Sequence, residues 1–246
     1  MKTINDTIFI TGGAKRIGKA IVAHFHKLGW NVIFQYRTSS ESAQSISEEL
    51  NGIRSNSCFA YQADLDSLED INRFCNDIKK NHNNLKAIIN NASTFYPKPI
   101  SEVDEEDWES LISSNLKAPI FISKNLAEVI KNNKGTIVNM VDIYAEQGLA
   151  NYTIYSAAKA GLYNLTKSLA KELAPNVTVN SVSPGIILWD ETNPPNEEKQ
   201  NKMLSEVPLR RMGNENDIVS TVNFLVTKNK YMTGRNINVD GGKSLG

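Results

Sequence analysis

The 246-residue sequence is poor in cysteine, in long apolar runs and in net charge, and each shortage excludes a class of protein. Its apolar runs fall short of the roughly 18 residues that a membrane span needs, and the opening residues lack a signal-peptide core. Basic and acidic residues number 27 each, so we expect no polyanion-binding surface and no nucleic-acid partner. The two cysteines, Cys58 and Cys75, have neither metal-ligand nor CxxC spacing, which predicts no metal site and a reducing compartment. The sequence therefore predicts a cytoplasmic protein that does not bind membranes.

Short apolar runs alternate with segments of helical periodicity along the chain. The runs at 7–11, 31–36 and 136–141 are almost continuously apolar, which is typical of parallel strands covered on both faces. We therefore predict one α/β domain over residues 1–246, a doubly wound parallel sheet of the Rossmann type with helices on both faces. A long helix is expected over 104–131, bent at Pro119, and a substrate loop of undetermined path over about 186–206.

The segment from Asp142 to Lys159 carries the most chemistry. Tyr155 and Lys159 are four positions apart, so they share one face of the predicted helix. Asp142 follows the strand at 136–141, at the carboxyl end where open α/β sheets bind their ligands. An ammonium lowers the pKa of a nearby phenol, so these three residues are a candidate acid/base group. Alternatively, Tyr155 and Lys159 are ordinary helix-surface residues and Asp142 caps the segment that follows it.

A glycine-rich turn follows the first predicted strand. Gly12, Gly13 and Gly18 suit a turn that presents backbone N–H groups and a helix N-terminus to a diphosphate. The spacing is TGxxxRxG rather than GxGxxG, so a tight turn without a ligand stays open. Lys15 and Arg16 favour a polyanionic ligand, the alternative being a solvated basic surface.

The end of the second predicted strand bears on the choice of cofactor. A carboxylate at this place would bind the ribose 2′-hydroxyl of NAD, but the sequence has Arg37 and Ser39 instead. A guanidinium fork and a hydroxyl suit a 2′-phosphate, so NADPH is the predicted cofactor. The alternative is that Arg37 is a solvated loop residue.

Several short motifs together indicate a family. They are Thr11-Gly12 with Gly18, Asp64, Asn90-Asn91-Ala92, Asn115, Tyr155 with Lys159, Pro184-Gly185 and Asp240-Gly241-Gly242. With these motifs the chain resembles the short-chain dehydrogenase/reductase superfamily over nearly its whole length.

Four departures from the common pattern of that superfamily narrow the resemblance. Arg16 replaces a glycine, Asp142 replaces a serine or threonine, Ser93 and Phe95 follow Ala92, and Arg37 with Ser39 follows the second strand. In these respects the chain is similar to pteridine reductases, which reduce dihydropterins and sometimes dihydrofolate. The segment 186–191 is similar to the substrate loop of bacterial dihydromonapterin reductases, so the branch stays open.

The resemblance implies a role for each matching residue. For NADPH it implies binding by Gly12, Lys15, Arg16, Ile17, Arg37, Ser39, Asp64, Asn91, Ala92, Lys159, Pro184 and Gly185. For a pterin it implies contacts from Arg16, Ser93, Phe95, Asp142 and Tyr155. The implied catalytic residues are Asp142, Tyr155, Lys159 and Asn115, and the implied assembly is a homotetramer.

The unusual residues suit a flat heterocycle. Phe95 can stack on a pterin and Asp142 can accept hydrogen bonds from its N–H groups, although Phe95 could instead fill the core. We expect Asp142, Tyr155 and Lys159 to relay a proton to the ring during reduction of dihydrobiopterin, dihydromonapterin, dihydrofolate or an oxidised pterin. Two alternatives are a carbonyl or 3-oxoacyl thioester reductase, and a non-catalytic regulator that binds NADPH.

Overall fold

A seven-stranded sheet forms the centre of the fold in the computed structural model, which describes residues 6–189 and 194–245. All six strand pairings are parallel, in the order β3-β2-β1-β4-β5-β6-β7. The strands are β1 Thr7–Ile10, β2 Asn31–Tyr36, β3 Cys58–Gln62, β4 Leu85–Asn90, β5 Thr136–Met140, β6 Thr178–Pro184 and β7 Asn236–Val239. The order reverses direction at β1, which is the switch point of a doubly wound sheet.

Helices cover both faces of this sheet, and the prediction of a doubly wound Rossmann-type fold is confirmed. The described α-helices are α1 Arg16–Lys27, α2 Ser40–Ile53, α3 Leu68–Asn81, α4 Glu105–Ile112, α5 Ala118–Asn132, α6 Tyr144–Gln147, α7 Thr153–Glu172, α8 Glu197–Ser205 and α9 Glu215–Asn223. Helices α1, α2 and α9 contribute to the apolar core on one face, and α3, α5 and α7 to the core on the other. Burial on both faces explains why the strands are apolar without alternation.

Two sequence expectations need correction. The helix predicted over 104–131 is divided by a π-helical segment, Ser113–Lys117, because Pro119 at the start of α5 has no N–H to donate to the preceding turn. The predicted loop over 186–206 contains α8, which the Asn196 side chain caps by accepting a hydrogen bond from the backbone of Lys199. Residues 190–193 of the predicted loop and of the segment 186–191 lie outside the described residues.

The carboxyl ends of the strands bring the predicted site residues to one edge of the sheet. Asn91 follows β4, Asp142 lies two residues after β5, and Pro184 ends β6. In the described ranges, the helices lack the length and apolar character required to cross a membrane.

Candidate active site

Close backbone approaches explain the glycines of the first turn. A Cβ atom at Gly18 would lie 2.1 Å from the Gly12 carbonyl oxygen, and one at Gly13 would lie 2.4 Å from Phe34 Cβ. Gly12 itself has φ +65°, a conformation that favours glycine. Among the described contacts, Lys15 makes no side-chain cap to α1 and the first turn of α1 has no acidic residue. The N-terminal N–H groups of α1 therefore suit an anionic group such as a diphosphate.

Arg16 stands in a conformation that normally belongs to glycine. Its φ is +50°, which explains structurally why glycine is common at this place in the superfamily. Its guanidinium donates to the carbonyl oxygen of Leu188 at 3.2 Å and so joins the glycine turn to the start of the substrate loop. Ile17, the next residue, is partly buried and packs against the apolar core.

The segment after β4 is tied to the glycine turn. Thr11 Oγ1 accepts hydrogen bonds at 2.9 Å from the backbone N–H groups of both Asn91 and Ala92. The Asn91 side chain donates to the carbonyl oxygens of Thr11 and Gly12. These bonds hold two of the predicted cofactor-binding segments at a fixed separation.

Arg37 and Asp64, predicted to contact the adenosine end of the cofactor, lie together. Arg37 Nη2 is 3.0 Å from Asp64 Oδ2 and 3.3 Å from Asp66 Oδ2. The Arg37 side chain is about half exposed, while Ser39 precedes α2 as its N-cap residue. The guanidinium is therefore already paired with two carboxylates, and a 2′-phosphate would have to compete with them. The contact with Asp66 was not predicted from the sequence.

Asp142, Tyr155 and Lys159 converge beside the end of β5. The Tyr155 hydroxyl donates to Asp142 Oδ2 at 2.6 Å, and the backbone N–H of Tyr144 donates to Asp142 Oδ1 at 2.8 Å. Lys159 Nζ donates to the Met140 carbonyl oxygen at 2.9 Å. Tyr155 is 4% exposed and Lys159 is 2% exposed, so neither is a helix-surface residue.

Burial changes the proton affinities of these three groups. It raises the pKa of the Tyr155 hydroxyl well above the usual value, and the Asp142 carboxylate raises it further. The pKa of this phenol is therefore raised overall, whereas the role expected of Lys159 was to lower it. Burial also raises the pKa of Asp142 and lowers that of Lys159 to about 8. At neutral pH the Tyr155 hydroxyl is therefore protonated and donates its hydrogen bond to the Asp142 carboxylate.

Asn115 fixes the segment that follows Ala92. It lies in the π-helical segment, and its side-chain N–H groups donate to the carbonyl oxygens of Thr94 at 2.8 Å and Leu111 at 2.9 Å. Its side-chain oxygen accepts a hydrogen bond from Ser93 Oγ at 2.7 Å. The wider turn of the π-helical segment thus places one amide between α4 and the segment that carries Ser93.

An aromatic group borders the phenol. The ring of Phe95 stacks on Tyr152 at 4.5 Å between centroids and meets Tyr155 edge-on at 4.7 Å. Phe95 is 53% exposed, which excludes the alternative that it fills the core. The sequence analysis missed Tyr152, although its position three residues before Tyr155, one helical turn away, could have indicated it.

The end of β6 closes the other side of the site. Gly185 donates its backbone N–H to the Val239 carbonyl oxygen at 3.0 Å, and a Cβ there would lie 2.7 Å from Asp240 Cα. Pro184 pairs with Val239 in the sheet. A larger residue at position 185 would push β6 and the Asp240 turn apart.

A parallel doubly wound sheet with a glycine turn, a buried tyrosine-lysine pair and a carboxylate at the end of β5 defines a Rossmann-type oxidoreductase. Residues 12–244 match the family model described as Enoyl-(Acyl carrier protein) reductase. The chain therefore belongs to the short-chain dehydrogenase/reductase superfamily, as its motifs indicated.

The similar proteins include relatives that are named for two different functions. The chain is 33% identical over 245 aligned positions to the 3-oxoacyl-[acyl-carrier-protein] reductase FabG of Staphylococcus epidermidis, covering 97% of this chain and 99% of the relative. It is 34% identical over 243 positions to the protein of the same name from Staphylococcus aureus, covering 97% and 98%. It is also 33% identical over 241 positions to the dihydromonapterin reductase of Enterobacter sp., covering 97% and 96%.

Proposed function

We propose that the chain is an NADPH-dependent reductase of pterins. It would reduce a dihydropterin, such as dihydrobiopterin or dihydromonapterin, to the tetrahydro form, with dihydrofolate and oxidised pterins as further candidate substrates. The observation that carries this proposal is the 2.6 Å hydrogen bond from the Tyr155 hydroxyl to Asp142. It supports a site in which a carboxylate stands where a carbonyl reductase needs a hydrogen-bond donor.

The residues around the glycine turn fit the proposed cofactor. The backbone around Gly12 and the N-terminus of α1 would hold the diphosphate, and Arg37 would meet the adenosine 2′-phosphate. Lys159 and Asn91 would hold the ribose near the reacting ring, and Gly185 would border the carboxamide. When bound, NADPH supplies a hydride.

Asp142 separates the two substrate classes by its hydrogen-bonding chemistry. An ionised carboxylate only accepts hydrogen bonds, and a pterin offers N–H donors from its amino group and ring. A ketone oxygen that is being reduced gains negative charge and requires donors, so an adjacent carboxylate opposes that change. The burial that raises the pKa of Asp142 also makes any hydrogen bond to it stronger than in water.

Proton transfer would complete the reduction of the C=N bond, which takes a hydride at carbon and a proton at nitrogen. The Tyr155 hydroxyl, positioned by its hydrogen bond to Asp142 Oδ2, would give its proton to the ring nitrogen. The Lys159 ammonium, whose pKa burial lowers to about 8, would then return a proton to Tyr155, and solvent would reprotonate Lys159. The exposed face of Phe95 would orient the ring, because Tyr152 supports Phe95 from behind.

A second candidate function is the reduction of 3-oxoacyl thioesters. The specific observation in its favour is the 33–34% identity to the staphylococcal FabG proteins over nearly the whole chain. Tyr155 and Lys159 would serve a carbonyl substrate as well as a pterin. Asp142 and the Phe95–Tyr152 stack are the features that weigh against it.

A substrate panel tests these proposals directly. NADPH oxidation would be followed by absorbance with dihydrobiopterin, dihydromonapterin, dihydrofolate and an acetoacetyl thioester. Turnover of a dihydropterin above that of the thioester supports the proposal, and the reverse order refutes it. Binding of NADPH without oxidation in the presence of any of the four would support the non-catalytic regulator.

Asp142→Ser provides a sharper test of the assignment. Turnover of a dihydropterin should fall by roughly 10²-fold or more, while the dissociation constant of NADPH should change by about twofold at most. Asp77→Ser removes an exposed carboxylate on α3 and serves as the matched control. Wild-type turnover in Asp142→Ser would contradict the assignment.

We also propose a homotetramer. The superfamily resemblance implies that the helices predicted over 104–131 and 152–173 pair between subunits. In the first of these segments, Trp108 on α4 and Ile120 on α5 expose 51% and 38% of their surface. Light scattering of the purified protein would measure the assembly, and a monomer would contradict the proposal.

A further inference from the structure

Two carboxylates contact the same nitrogen of Arg37. Asp64 Oδ2 and Asp66 Oδ2 lie 3.0 Å and 3.3 Å from Arg37 Nη2. The two acids are also joined to each other, since the backbone N–H of Asp66 donates to Asp64 Oδ1 at 3.0 Å. Asp66 therefore belongs to the same cluster as the residue predicted to bind the 2′-phosphate.

The charges of this cluster do not balance. One guanidinium faces two carboxylates, which leaves a formal charge of −1. Lys117, whose charge also acts on Asp66, lies 3.7 Å from the Glu109 carboxylate and is paired with it. Within the part of the chain that the structure describes, Asp66 Oδ1 is buried and has no hydrogen-bond partner. Burial and the neighbouring Asp64 raise the pKa of Asp66, which agrees with an incompletely compensated carboxylate.

This arrangement bears on which dinucleotide binds better. A ribose 2′-phosphate carries a charge of roughly −1.5 to −2 near neutral pH, whereas the 2′-hydroxyl of NADH is neutral. A phosphate that approaches Arg37 must compete with Asp66 for the guanidinium and also meets its negative charge. The neutral 2′-hydroxyl of NADH competes less for the guanidinium and is not repelled by the Asp66 charge.

We infer that Asp66 sets the cofactor selectivity of this chain, by weakening the preference for NADPH over NADH. The inference rests on the proposed dinucleotide function but not on the identity of the reducible substrate. Removal of the Asp66 charge leaves Arg37 paired with Asp64 alone and brings the cluster to a formal charge of zero. The preference for NADPH over NADH then has two contributions, attraction of the 2′-phosphate by Arg37 and repulsion by Asp66.

The test measures binding instead of turnover. Dissociation constants for NADPH and NADH would be determined by calorimetry for the wild type and for Asp66→Asn. NADPH should bind roughly three- to tenfold more tightly to the variant, and NADH should change by less than about twofold. Because Arg37 is half exposed, about 0.5 M salt should reduce the gain for NADPH.

Two further variants control for the choice of replacement residue and for a general effect of removing one negative charge. Asp66→Ser repeats the charge removal with a smaller side chain and should shift the ratio of the two constants in the same direction. Asp77→Asn makes the same charge change on the exposed side of α3 and should leave the ratio unchanged.

Three outcomes would overturn the inference. If the ratio of the NADPH and NADH dissociation constants is unchanged in both Asp66 variants, the Asp66 carboxylate does not affect cofactor selectivity. Weaker NADPH binding in both variants would show that Asp66 orients Arg37 instead of opposing the phosphate. If the wild type binds neither dinucleotide, the proposed function fails together with the inference, whereas the first two outcomes leave the proposed function intact.

Discussion

Replacing Lys159 with methionine removes a buried ammonium and retains a side chain of similar length. Lys159 lies in α7, is 2% exposed, and donates from Nζ to the Met140 carbonyl oxygen. Burial lowers its pKa from 10.5 to about 8, against the opposing influence of the Asp142 carboxylate. Keeping this side chain charged in the folded protein therefore costs free energy.

The cost depends on pH in a defined direction. Between about pH 8 and pH 10.5 the unfolded chain holds the Lys159 proton and the folded protein releases it, so stability rises with pH across this window. The cost is fully present below about pH 8. A shift of this size corresponds to about 3 kcal/mol, of which about 2 kcal/mol would be recovered between about pH 7 and pH 9.5.

Denaturant unfolding of the wild type and Lys159→Met at these two pH values measures the effect. Other groups titrate in both proteins, so the informative quantity is the difference between their free energies of unfolding. The wild type should gain about 2 kcal/mol relative to the variant as the pH rises. A difference that stays constant within about 0.5 kcal/mol would refute the reasoning, because it would mean that Lys159 has the same pKa in the folded and unfolded chain.

Two further predictions concern the glycine turn. Gly18→Ala should lower the free energy of unfolding by more than about 2 kcal/mol, since its Cβ would lie 2.1 Å from the Gly12 carbonyl oxygen. Gly52→Ala in α2, where the new Cβ meets no atom within 4 Å, is the control in urea unfolding and should cause no loss. Arg16→Gly should raise the free energy of unfolding by about 0.5–1 kcal/mol, because its φ of +50° strains any other residue. Arg16→Ala keeps that strain, so equal stabilities of the two Arg16 variants would contradict this explanation.

The arrangement of the sheet was predictable because it follows from the hydrophobic pattern of short, consecutive segments of the chain. Nearly continuous apolar strands such as β1 are typical of a parallel sheet covered on both faces, and short connections then leave few topologies. The place of Asp142 and Tyr155 followed from the same reasoning, since residues after parallel strands meet at the carboxyl edge. The helix α8 was missed because nine mostly polar residues carry little periodic signal.

The amino-acid sequence by itself determined the fold and which side chains reach the carboxyl edge, because these depend on periodicity and spacing. Its short motifs carried the resemblance that indicated the superfamily. Only the tertiary structure decided that burial and Asp142 raise the pKa of Tyr155, that Tyr152 supports Phe95, and that Asp66 shares Arg37 with Asp64. These properties depend on burial and on distances between residues that are remote in the chain or carry no pattern of their own. Desolvation and Coulomb energies change over a few ångströms, a scale that a linear pattern does not encode.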